Sequence, residues 1–208
     1  MSKAVMISIQ PKWCEKIASG KKTVELRKTK PDIETPFKVY IYCTKPKGKY
    51  DYGLCIDRGV CGTLKSVGLL AKCNYEFAEK NEMPILSGKI IGEFVCDEIT
   101  EFYPTLDLKE LNFRHFQMVD NSQVNMRDLY NYANGKYLYG WHISDLVIYD
   151  KPKELSHFLQ YCEYDYDIDK CIGCKKTSYN DLGQECCDRR ITRPPQSWCY
   201  VKGGGSDA

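Results

Sequence analysis

The sequence predicts an α+β fold, a small β-barrel or curled sheet with a few short helices. Three observations carry this. Short apolar, β-branched and aromatic runs recur along the chain, as strands require. Helical patterns are fewer and short. The 208 residues suffice for one sizeable domain with a real core but would cramp a second.

The first strand is expected over Ala4–Ile9, AVMISI. Pro11 suits the first turn of a following helix, where its missing N–H costs nothing. Trp13 and Ile17 supply that helix with an inner stripe, and Gly20 with a stop. In 21–27, KKTVELR, Val24 and Leu26 alternate with Thr23, Glu25 and Arg27. Period two sends the apolar pair one way and the polar three the other. Further strands are expected over Phe37–Thr44, Lys89–Ile99, Tyr137–Tyr149 (broken near Ser144-Asp145) and Ser197–Val201. Helices are expected over Leu106–Leu111, Met126–Ala133 and Pro152–Tyr161. Residues 45–88 and 163–193 interrupt the pattern as insertions, and 203–208 read as a flexible tail.

Composition bounds the function. Hydrophobic residues are 43% and charged residues 28%, ordinary globular usage. No apolar run approaches the about 20 residues of a membrane span, and the first residues do not form a secretory signal. A cytoplasmic protein without a membrane partner is expected. The net charge is +2, unevenly spread: residues 1–50 carry 12 Lys and Arg against 4 acids, and the remainder carries 18 against 24. A basic first quarter fits an anionic partner or a solvated lysine face. The near-zero total argues against avid non-specific binding to long nucleic acid. With no export signal, the twelve cysteines read as reduced thiols or a metal site, and Cys43 and Cys96 as small core hydrophobes.

The informative constellation is Gly20, Lys22, Glu25 and Arg27. An acid, a lysine and an arginine converging on one cleft bind phosphate or polar base edges, or perform acid–base work when burial shifts their pKa values. The competing reading is an exposed strand with a surface ion pair.

The segment SIQPKWCEKIASGKKTVELR, followed by FKVYIYCT and GKIIGEF, resembles the ASCH domain, a relative of PUA-like β-barrels. The Gly-x-Lys-x-x-Glu-x-Arg signature is complete as Gly20, Lys22, Glu25 and Arg27. LYGWHISDLVIYDKP and RPPQSWCYV resemble longer prophage-type members. The resemblance implies a cleft beside the first helix lined by Lys22, Glu25 and Arg27, with Ser8, Gln10 and Trp13 near it. It implies RNA or a nucleotide as ligand. Some relatives resemble amidohydrolases of N4-acetylcytidine that use a lysine, a threonine and a glutamate. Lys22 matches the lysine, while Glu25 fills the threonine position and Thr23 lies two positions off. Others resemble ribonucleases. A catalytic reading therefore rests on Lys22 and Glu25. A protein-interaction role for the insertions is the third reading.

His142 would line the cleft or sit satisfied in the sheet. Most of the aromatics read as core, with Trp198 and Tyr200 on one face of the last strand as candidates for base stacking. Cys171-x-x-Cys174 followed by Cys186-Cys187 offers ligands for a structural zinc, with Cys162 or Cys199 as substitutes, or else a loop of reduced thiols. No cofactor is expected at the main site.

Overall fold

The computed structural model describes residues 2–45, 53–56, 70–73, 80, 85–162, 177–179, 185–187 and 189–204. The fold is α+β. Two sheets carry the core. In the first, strands run in the order β12 (Trp198–Lys202), β1 (Lys3–Ile9), β3 (Phe37–Cys43), β6 (Ile90–Cys96), β9 (Ser144–Lys153). In the second the order is β2 (Val24–Arg27), β8 (Leu138–His142), β7 (Ile99–Phe102). Two hairpins stand apart: β4 (Gly53–Ile56) with β5 (Leu70–Cys73), and β10 (Thr177–Tyr179) with β11 (Glu185–Cys187). Both fall inside the segments read as insertions.

The expected curl arises at two bends. The run 89–99 is not one strand: β6 ends at Cys96 in the first sheet, and β7 starts at Ile99 in the second. The run 137–149 breaks at Ile143, one residue earlier than expected, and passes from β8 to β9 in the same way. The bends meet, since His142 N donates to Glu98 O at 2.9 Å and Ser144 Oγ to Val95 O at 2.9 Å. Two chains crossing one corner together fold the sheets over a shared core.

Alternation then sorts the side chains. Val5, Ile7 and Ile9 of β1 face this core with Val39, Ile41, Phe94 and Trp141, while Ala4 and Met6 face a second cluster with Tyr40, Phe158 and Ile191. The first sheet is therefore covered on both sides, and β1 reads as a nearly continuous apolar run. Gly92 is a point of close approach between β6 and β9: a Cβ there would stand 2.3 Å from Val147 O, at an irregular point of the register.

Helix α1 spans Pro11–Ala18, with Pro11 at its first turn and Gly20 beyond its end at φ +73°. Helix α3 spans Met126–Ala133, as expected. Two expected helices do not form. Leu106–Leu111 is turn and irregular chain; the helix in this region is α2, Phe113–Ser122. Asn112 decides its start: its side chain accepts from Arg114 N and the His115 ring accepts from Asn112 N, satisfying donors that a helix start leaves open. Pro152–Tyr161 holds only a 3₁₀ turn, Leu155–His157. Pro152 belongs to β9, an edge strand, where its missing N–H breaks no interior ladder.

Cys14, Cys43 and Cys96 are buried in the core. Burial raises the Cys14 thiol well above its ordinary value and pushes Cys96 up to about 12. At pH 8 a thiol at 12 is ionised in about one molecule in ten thousand. Folded protein treated with iodoacetamide at pH 8 is therefore expected to leave Cys14 and Cys96 unmodified, and unfolded protein to lose both. Peptide mass spectrometry reads the result. Labelling of Cys96 in the folded state as fast as that of half-buried Cys162 would contradict its placement.

Candidate functional site

The signature residues occupy β2 and the turn before it. Strand β2 is the edge of its sheet and pairs with β8, Glu25 opposite Trp141 and Arg27 opposite Tyr139. Both its faces are covered. Val24 and Leu26 pack with Leu129, Ala133 and Met118 of α3 and α2, while Trp141 places Glu25's face toward the central core. The exposed-strand reading therefore fails. Glu25 is 5% exposed and Lys22 is 3% exposed.

Three charges are consequently held away from water. Arg27 Nη2 pairs with Glu25 Oε1 at 3.1 Å, and Lys22 Nζ stands 3.4 Å from Glu25 Oε2. Each cation has a second anchor. Arg27 Nη2 donates to Ser8 O at 2.7 Å, and Lys22 Nζ to Ser122 O at 2.8 Å. Ser122 ends α2, so Lys22 meets the negative end of that helix. Thr23 N donates to Asn121 O, which docks the turn on the same helix end. Glu25 Oε2 and Arg27 Nε are buried and make no hydrogen bond. Burial lowers the Lys22 ammonium from its ordinary value, the Glu25 charge opposing this and Arg27 and Lys16 adding to it.

The constellation forms the floor of an open cavity of about 1040 Å³. Gln10 and Trp13 line it, as does Ser8. Trp13 is ringed by ammonium groups, with Lys12 4.6 Å, Lys16 5.2 Å and Lys22 5.3 Å from its centroid. Residues not singled out in the sequence complete the walls: Thr44, Lys45, Asp128, Leu129, Tyr132 and Gln196. They lie on three other segments. Only the i, i+4 spacing of Asp128 and Tyr132 on one helix face hinted that they act together.

Other candidates fall elsewhere. His142 does not line the cavity; its Nδ1 lies 2.6 Å from Asp97 Oδ1 at the bend between the sheets. Trp198 and Tyr200 are also outside it. Trp198 packs on Trp141 with centroids 6.1 Å apart and donates from Nε1 to Thr29 Oγ1, and the Tyr200 hydroxyl accepts from Asp32 N. Thr23 is not in the lining either. Cys171 and Cys174 lie outside the described residues. Cys186 and Cys187 belong to β11. Among the described residues no helix is long and apolar enough to cross a membrane.

No family model matches the chain, and no curated protein does. Solved structures do. The fold is similar to that of an ASCH protein from Zymomonas mobilis, at 15% identity and a TM-score of 0.47, covering 96% of this chain and 88% of that one. Two point variants of the same Zymomonas mobilis protein match at 14% and 16% identity, each with a TM-score of 0.44. They cover 97% and 96% of this chain, and 92% and 89% of those chains.

Proposed function

We propose that the cavity binds a nucleotide, free, modified or within RNA, on the floor built by Lys22, Glu25 and Arg27. The observation that carries this is the convergence of three charged side chains, nearly closed to solvent, on one cavity of ligand size. A buried ionic cluster contributes little net stability against a well-packed apolar one. Its presence at a cavity floor is thus better explained by recognition than by folding. The complete Gly20, Lys22, Glu25, Arg27 signature supports the same reading. Arg27 and Glu25 between them offer donors and acceptors that match the polar edge of a base or its sugar. A cytoplasmic nucleic-acid or nucleotide ligand fits this site without a cofactor. A zinc on Cys171, Cys174, Cys186 and Cys187 would be a structural staple rather than a catalytic ion, because an all-cysteine site leaves no open position.

One observation favours a second reading, hydrolysis at the same floor. A lysine whose pKa is lowered by burial is neutral in a larger fraction of molecules near neutral pH, and so more available as a general base, and Lys22 is such a lysine. An N4-acetylcytidine amide or an RNA phosphodiester would be the substrate class.

The test incubates wild type and the Arg27→Gln and Lys22→Met variants with short single-stranded RNA and with N4-acetylcytidine. Binding is followed by fluorescence anisotropy and calorimetry, products by liquid chromatography. Binding without product, weakened at least about tenfold in a folded Arg27→Gln variant, is expected. Product lost in Lys22→Met selects the hydrolase reading. Neither binding nor product in the wild type overturns both and turns attention to the insertions and a protein partner.

A further inference from the structure

The walls of the cavity differ in chemistry. Parallel neighbours β1 and β3 end side by side, with Ile9 in register with Cys43 and Thr44 N donating to Ile9 O at 2.8 Å. The residues that follow them, Gln10 to Lys12 and Thr44 to Lys45, therefore share one wall. Its two lysines are held in place. Lys12 lies over the Trp13 ring, and the Lys45 stem lies on Gly88, where a Cβ would stand 2.7 Å from Cε. Among the described residues neither ammonium is within ion-pair distance of a carboxylate. Gln10, the residue before α1, gives that helix no side-chain cap; Pro11 has no N–H and the N–H groups of Trp13 and Cys14 donate to Gln10 O, so the helix start adds only the Lys12 N–H to this wall.

The other wall is α3, which packs on the opposite face of β2 through Leu129 and Leu26. It offers the half-exposed ring of Tyr132, over which Lys28 stands at 4.8 Å, beside Val124 just before the helix and above the buried Leu129. It also carries Asp128, a carboxylate that repels an anion. Between the walls lies Glu25, 95% or so withdrawn from solvent, with Oε2 accepting no hydrogen bond.

We infer that the cleft takes a phosphorylated nucleotide lying across it, its phosphate between Lys12 and Lys45 and its base against Val124 and Tyr132. This rests on the nucleotide reading above and gives it a direction. An ammonium pair with no carboxylate suits a phosphate, and an aromatic ring flanked by aliphatic side chains suits a base face. The orientation cannot be reversed cheaply, because Asp128 would then face the phosphate.

Calorimetry tests it with adenosine, guanosine, cytidine and uridine and with their 5′-monophosphates, with short single-stranded RNA as a control. For at least one base the monophosphate is expected to bind at least about tenfold more tightly than its nucleoside. That gap should close in Lys12→Ala/Lys45→Ala. Tyr132→Ala should weaken binding of both forms. Equal binding of the two forms by wild type overturns the inference and leaves the nucleotide reading standing. So does a preference that survives the double lysine variant. RNA bound while no mononucleotide binds also overturns the inference alone. Failure of every ligand, RNA included, overturns both. The lysines are exposed, so thermal unfolding of the double variant should match wild type; a large drop would mean that they act in folding and would overturn the assignment.

Discussion

Glu25→Ala is expected to lower folding stability by about 3–5 kcal/mol, the cost of leaving a buried charge without its partner. Lys22 and Arg27 would remain, with side chains 2% and 12% exposed and no carboxylate between them. The isosteric Glu25→Gln keeps the volume and removes only the charge, so it isolates the electrostatic part. It also predicts a pH signature. Burial already lowers the Lys22 pKa, and Glu25 is the largest influence raising it. Without that charge the folded-state pKa falls further below the unfolded value of about 10.4. Between those two values the unfolded chain binds more protons than the folded one, so stability rises with pH. The penalty of Glu25→Gln should therefore shrink steadily from neutral pH toward pH 10, as Lys22 sheds its proton in the folded state. Urea unfolding of both proteins across that range measures it. A penalty that grows toward pH 10 would contradict the buried pairing. The triple change Lys22→Met, Glu25→Leu, Arg27→Met should recover much of the stability and none of the ligand binding, separating the two roles of the cluster.

Trp141→Ala is expected to cost about 3–5 kcal/mol, as for other large aromatic truncations in cores. Trp141 is fully buried, stands edge-on to Phe37 with centroids 5.8 Å apart, and packs against Trp198. It is also the joint between the sheets, since it belongs to β8 of the second sheet while its ring fills the core under the first. Being opposite Glu25 in the ladder, it stands beside that side chain on the same face of the sheet. The variant should thus lose ligand affinity as well as stability, although Trp141 does not line the cavity. Trp141→Phe should recover part of both. Chemical denaturation with nucleotide titration of the surviving folded fraction reads the two losses. A loss under about 1 kcal/mol would mean that the ring is not at the centre of the core.

Much of this was written locally in the chain. Pro11 and Gly20 bracket α1 because ring-locked φ and a positive φ are properties of single residues. The apolar runs of β1 and β3 announced themselves for the same reason, and the spacing of Gly20, Lys22, Glu25 and Arg27 marked a candidate site. Where local signals competed, they misled. Pro152 can open a helix or sit on an edge strand, and only the place of β9 at the rim of its sheet settles which. Asn112 and His115 form a capping box with histidine in the place usually held by glutamate or glutamine, so the start of α2 carried a weak signature.

Burial was decided in three dimensions. Period two states which side chains share a face, but not what covers that face. Thr23, Glu25 and Arg27 read equally well as a wet surface or a dry floor. The answer came from α2, which brings the Ser122 carbonyl to Lys22 from 100 residues away, and from β8, which sets Trp141 against Glu25. His142 left the site by the same logic, because the bend at Ile143 turns it toward Asp97. Residue identity and spacing determine which groups could act; long-range packing, through desolvation and new partners, determines the charge each bears and what it can reach.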